Sequence, residues 1–75
     1  GSTIPSLHVN GKKIHISGID ADVTVDVISA SGKLEEQHIL CGQQEYEFRS
    51  QVTPGLYIII VKWKGGMVSY KTTLS

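Results

Sequence analysis

The chain has 75 residues, no formal net charge and a hydrophobic content of 40%. A chain of this length forms one domain at most, and this content suits a globular fold and argues against disorder. Its seven basic and seven acidic residues are interspersed. Because no basic patch appears, we do not expect nucleic acid or an anionic membrane as a partner. No apolar run approaches the roughly 20 residues of a membrane-spanning helix.

The chain begins with Gly1-Ser2, which resembles a scar left by tag removal, so we expect residues 3–75 to form the single domain. A single cysteine, Cys41, excludes an internal disulfide and any metal site built from several cysteines. No base is adjacent to Cys41, which argues against a catalytic thiol. The small core must therefore be stabilised by packing alone.

Two short apolar alternations flank Asn10-Gly11, which is a strong hairpin signal. A two-residue loop at Asn10-Gly11 would pair Val9 with Lys12, whereas a four-residue loop would pair Val9 with Ile14. The second register places apolar opposite apolar, so we predict a four-residue loop.

Further runs with strand character follow, separated by turn residues. Val23–Val27 alternates with polar residues and ends at a turn containing Gly32. Lys33–Leu40 has fair helix propensity but is short and uncapped, so we predict an edge strand there rather than a helix. Tyr46 and Phe48 mark the next strand.

The longest apolar run lies within residues 54–64, which open with the turn Pro54-Gly55, and it is the predicted central strand. Gly65-Gly66 then closes a last hairpin. Seven short strands with turn signals about every 8–12 residues predict an all-β fold, a small seven-stranded antiparallel Ig-like β-sandwich.

The central run also predicts which side chains form the core. Gly55 and Tyr57 have the spacing of the tyrosine corner of Ig-like folds, which turns Tyr57, Ile59 and Val61 inward. The other predicted core residues are Ile14, Ile16, Val23, Val25, Val27, Phe48, Val68 and Tyr70.

Ile58 and Ile60 then face outward and, with Ile28, form an apolar patch on one sheet. Two interpretations of this patch stay open: cover by the stems of long side chains such as Lys62, or an interface with another domain or chain. Trp63 suits a core, an interface or a carbohydrate-stacking platform.

No constellation of residues indicates catalysis, so we expect a non-enzymatic protein without metal or cofactor. His8 and His15 face each other across the predicted hairpin, but two imidazoles are an incomplete zinc site. Asp20, Asp22 and Asp26 lack the spacing of a calcium loop. The glutamates, including the pair Glu35 and Glu36, are expected on a solvated rim.

Two segments of the chain resemble a known family. The first, 23–34, is a strand and turn that contains Ser31-Gly32-Lys33. The second, 53–61, contains Pro54, Gly55 and Tyr57 and is followed by a terminal hairpin whose last strand carries Lys71. Over residues 7–74 the chain resembles the type A C-terminal sorting domain of proteins exported by the Bacteroidetes type IX secretion system.

The resemblance implies an Ig-like address label that an outer-membrane export machinery recognises, and therefore an extracytoplasmic, secreted or cell-surface location. The implied partner is a protein, contacted through Ile28, Ile58, Ile60 and the last hairpin, with Trp63 as a further candidate. An exposed apolar sheet face would also favour self-association. The chain is similar, too, to small secreted Ig-like proteins of gut Bacteroides, which leaves open a glycan- or protein-contacting binding or spacer module.

Overall fold

A computed structural model describes residues 4–18, 22–41 and 43–75, so the predicted scar at Gly1-Ser2 lies outside the described residues. Seven strands confirm the predicted number: β1 Ser6–Asn10, β2 Lys13–Ser17, β3 Val23–Ser29, β4 Leu34–Leu40, β5 Glu45–Arg49, β6 Gly55–Trp63 and β7 Gly66–Leu74. The segment of mixed propensity is strand β4, as predicted. No helix capable of crossing a membrane occurs within the described ranges.

The strands form two antiparallel sheets, a three-stranded sheet of order β1-β2-β5 and a four-stranded sheet of order β4-β3-β6-β7. The chain crosses between the sheets after β2, after β4 and after β5, so neighbours such as β3 and β6 are distant in sequence. Crossing connections of this kind are the Greek-key feature of Ig-like sandwiches. The predicted β-sandwich is therefore confirmed, and β4 is an edge strand.

The first hairpin has the predicted register but a shorter loop. Val9 pairs with Ile14, as the apolar pattern indicated, and pairing continues to Asn10 and Lys13. The predicted four-residue loop is therefore wrong, because only Gly11 and Lys12 remain unpaired. Gly11 has a φ of 63°. Glycine at the first position of a two-residue loop is typical of a type II′ turn, whose twist matches that of the strands.

The core lies between the sheets and draws on both. Its buried apolar members are Ile14, Ile16, Val23, Val25, Val27, Val52, Tyr57, Ile59, Val61 and Leu74. Three predicted core residues, Phe48, Val68 and Tyr70, are half-buried and pack against this cluster. Val52 and Leu74 were not predicted, because Val52 lies outside the strands and Leu74 ends the last one.

Side chains on the inner face of edge strand β4 contact β5 and the segment that follows β5. Ser50 Oγ and the Gln51 backbone N donate hydrogen bonds of 2.8 and 2.6 Å to the Glu36 carboxylate. His38 stacks on Phe48 of β5 with ring centroids 4.0 Å apart. The expectation that Glu36 lies on a solvated rim is therefore wrong, because Glu36 is half-buried and bridges the two sheets.

Candidate interaction surface

The pairing register determines which side chains share the outer face of the four-stranded sheet, since directly paired residues point to the same side. We call this surface the outer face. One row across β4, β3, β6 and β7 is Leu34, Ile28, Ile58 and Lys71; the next is Gln37, Asp26, Ile60 and Ser69; the third is Ile39, Thr24, Lys62 and Met67. Leu56 and Thr73 pair beyond the first row.

Most of the exposed large apolar side chains of the described residues lie on this outer face. They are Leu34, Ile39, Leu56, Ile58 and Met67, with exposed fractions between 37% for Ile58 and 73% for Ile39; the sixth, Ile4, lies outside the strands. Ile28 and Ile60 are half-buried. The predicted trio of Ile28, Ile58 and Ile60 is thus brought together on one sheet, within a larger apolar surface that reaches both edge strands.

Asp26 lies at the centre of the outer face and is only 6% exposed. Lys62 Nζ lies 2.8 Å from Asp26 Oδ2, and Gln37 Nε2 donates a hydrogen bond of 2.8 Å to Asp26 Oδ1. Burial raises the pKa of Asp26, but the hydrogen bonds from Lys62 and Gln37 outweigh it, so the net pKa lies below the ordinary value. The carboxylate is therefore charged at neutral pH and already satisfied within the sheet.

The remaining charges of this surface lie at its two edges. Lys71 is exposed on β7. Glu35 is exposed on β4, where the register steps from the Val27–Glu36 pair to the Ile28–Leu34 pair and leaves Glu35 unpaired as a β-bulge. Neither side chain takes part in an ion pair with another described residue. The outer face therefore combines exposed apolar side chains around the Asp26–Lys62 pair with an acidic edge and a basic edge.

Trp63 lies on the other side of the sheet from Ile28, Ile58 and Ile60. It pairs with buried Val23 and packs against the core. A Cβ atom added to Gly65 would lie 2.9 Å from Trp63 Nε1, so the indole packs closely against the β6–β7 turn. The candidate interaction residues therefore occupy two separate surfaces, and only the three isoleucines share the outer face.

The residues that carry the resemblance occupy two turns and the strands β6 and β7. Gly32 has a φ of 91°, and its backbone N donates to Ser29 O at 2.9 Å in the turn before exposed Lys33. Pro54 precedes β6, and the Tyr57 hydroxyl donates a 2.6 Å hydrogen bond to Thr53 O, which confirms the tyrosine corner that the sequence indicated.

Two of the three histidines, His8 and His15, lie on the outer side of the three-stranded sheet, whereas His38 is on the inner face of β4. His8 and His15 are direct cross-strand neighbours, as predicted, and line a groove of about 260 Å³ with Glu47. His15 Nε2 lies 2.9 Å from Glu45 Oε1. Within the described ranges, no three His, Cys, Asp or Glu side chains are grouped to hold a metal ion.

The other candidate residues are not brought together. Asp20 lies outside the described residues, Asp22 is exposed, and Asp26 is occupied by Lys62 and Gln37. Cys41 is exposed. No protein-family model matches the chain, and neither the curated proteins nor the solved structures contain a significant match.

Proposed function

We propose that the chain is a non-catalytic sorting domain that an export machinery of the type IX secretion kind recognises through the outer face. The observation that carries the proposal is the exposed apolar surface around Ile58, since large apolar patches on small soluble domains usually mark contacts with other molecules. The Ser31-Gly32-Lys33 turn and the Pro54-Gly55-any-Tyr57 corner support the family resemblance. On this proposal the domain acts outside the cytoplasm.

The composition of the outer face suits recognition of a protein. Asp26 is the acidic group nearest its centre, and Lys62 and Gln37 already satisfy it. A partner could therefore cover the centre without leaving an unpaired buried charge. Such a charge is the main free-energy cost of desolvating a polar surface. Burial of the exposed isoleucine and leucine side chains would then contribute the favourable free energy of binding.

The proposal is tested by fusing residues 3–75 to a periplasmic reporter in a host that has this export system. Export of the reporter to the cell surface or medium is expected, and Ile58→Asp should abolish it. Glu47→Lys, on the outer side of the three-stranded sheet, is the matched control and should leave export unchanged. A folded fusion that remains periplasmic would overturn the proposal.

A binding or spacer module of a multidomain surface protein is the second candidate, because the same apolar surface also suits a neighbouring domain. Its glycan-binding form depends on Trp63, which is half-buried and packs against Gly65. Glycan-array binding that Trp63→Ala abolishes, in a fusion that is not exported, would favour this candidate over the sorting domain.

A further inference from the structure

The outer face is also complementary to itself. A two-fold axis that runs parallel to the strands, midway between β3 and β6, places β4 of one copy over β7 of the other and β3 over β6. Rotation about this axis leaves the position of each residue along the strand direction unchanged. Each row of side chains therefore faces the same row of the second copy. Self-complementarity of this kind is the requirement for a closed dimer.

We propose that a second copy of this chain covers the outer face in a symmetric dimer with this axis. In the first row, Ile28 lies opposite Ile58 of the second copy, and Ile58 lies opposite its Ile28. In the third row, Ile39 and Met67 lie opposite each other, and they are 73% and 62% exposed in the single chain. The dimer therefore buries the most exposed apolar side chains of the sheet.

The charges at the two edges favour the same axis. Lys71 ends the first row on β7, and Glu35 directly follows Leu34, which ends that row on β4 at the opposite edge of the sheet. The axis brings Leu34 over Lys71 of the second copy, with Glu35 beside it along β4, so one acidic and one basic side chain meet at each edge of the dimer. Since neither side chain has an ionic partner within the described residues, both are available for the contact.

The alternative face-to-face axis, perpendicular to the strands, is less complementary. It would place each strand over its own copy and reverse the order of the rows. Ile58 would then face Lys62, and Lys71 would face Met67 in a row that contains no acidic residue, so Lys71 would be buried without an ionic partner. The arrangement of charges therefore favours the axis parallel to the strands.

Four strands spaced about 4.8 Å apart and seven residues long give a face of about 15 by 20 Å. This is about 300 Å² per copy, below the roughly 800 Å² per partner of a standard specific interface, so the dimer is expected to be weak, with a dissociation constant no lower than the micromolar range. The export machinery is proposed to bind the same face, so the dimer would have to dissociate before that recognition, as a weak dimer can. The dimer proposal itself rests on the geometry of the outer face and not on the export function, and purified protein tests it without any export host.

The experiment is sedimentation equilibrium of the wild-type chain, Glu35→Lys, Lys71→Glu and the double variant that exchanges the two charges. Wild type should dimerise, each single variant should raise the dissociation constant about tenfold or more, because two contacts become repulsive, and the double variant should recover the affinity. Glu47→Lys is the control and should dimerise like wild type, and circular dichroism should show that all variants are folded.

A monomeric wild type at high micromolar concentration would overturn the proposal. A dimer that is insensitive to both single changes, or one that the exchanged charges fail to restore, would overturn the proposed axis. Failure of the export test with a wild-type dimer intact would remove the sorting function alone and leave the dimer standing.

Discussion

The phenolic hydroxyl of Tyr57 donates a 2.6 Å hydrogen bond to the backbone carbonyl oxygen of Thr53, four residues earlier in the chain. Tyr57 is 6% exposed, and the bond ties the start of β6 to the turn that precedes it. The contact joins the loop between the sheets to the central strand, so it fixes the point at which the chain enters the core.

Replacing Tyr57 by Phe keeps the ring and removes this hydrogen bond. We expect the free energy of unfolding to fall by about 1–2 kcal/mol, because a partly buried hydrogen bond made by a side chain that is only 6% exposed is lost. Urea denaturation monitored by circular dichroism measures the change. Tyr70→Phe is the comparison, because its 3.0 Å bond to Pro5 O ties down only the segment before β1. If Tyr57→Phe lowers the free energy of unfolding no more than Tyr70→Phe does, the tyrosine corner does not stabilise the entry to β6 as described.

Gly65→Ala should destabilise the last hairpin. The added Cβ would lie 2.9 Å from Trp63 Nε1, so the half-buried indole must shift from its place against the core. A cost of about 1–3 kcal/mol is typical of such overpacking, and the tryptophan fluorescence spectrum should change with it. Gly55→Ala is the matched control, since its Cβ would meet the Tyr57 ring at an ordinary 3.6 Å. Unchanged fluorescence and stability for Gly65→Ala would show that the indole is not packed as described.

Glu36 should make stability fall in acid. Burial raises its pKa, but the hydrogen bonds from Gln51 N and Ser50 Oγ and the nearby His38 outweigh burial, so the pKa is lowered in the folded chain. A lowered folded pKa contributes stability that is complete above the pKa of the unfolded chain and is lost as the pH falls through the folded value. The loss is therefore expected to begin as the pH falls below the ordinary pKa of a glutamate and to be complete below the lowered pKa of the folded chain.

Glu36→Gln tests this assignment. At neutral pH we expect it to lower the free energy of unfolding by about 1–2 kcal/mol, because a charged acceptor of three contacts is lost. The acid dependence should also become shallower. Glu35→Gln, one residue away and exposed, is the control and should retain the wild-type pH profile. If both variants show the same profile, Glu36 is not the group that titrates.

The Asp26–Lys62 pair should behave as a buried carboxylate with a partly exposed partner. Lys62→Met leaves the carboxylate with Gln37 alone and is expected to cost about 1–3 kcal/mol, the usual penalty for an under-satisfied buried group. Adding Asp26→Val removes the unpaired carboxylate, and we expect it to restore at least half of the free energy of unfolding that Lys62→Met loses. Thermal and urea unfolding of the two variants measure the difference. A double variant less stable than Lys62→Met alone contradicts this account.

The sequence by itself determined the strands and the faces of the central ones. Val23, Val25 and Val27 alternate with a period of two, and this period assigns each side chain to one side of a sheet. Residues 56–61 are apolar on both sides, so the inner side of that strand was assigned from the spacing of Gly55 and Tyr57. The sequence also predicted the tyrosine corner, because Gly55 and Tyr57 have a fixed spacing within one short segment. These signals are local, so one sequence is sufficient to read them.

Only the tertiary structure decided which groups meet across the sheets and how far the outer face extends. Glu36 bridges to Ser50, Lys62 neutralises Asp26, and Ile39 joins the same surface as Met67 although the two residues lie on opposite edge strands. No repeat in the sequence signals these contacts, because the strands involved are brought together by connections that cross between the sheets. Burial depends on such long-range neighbours, whereas side-chain alternation depends only on the backbone of the strand itself.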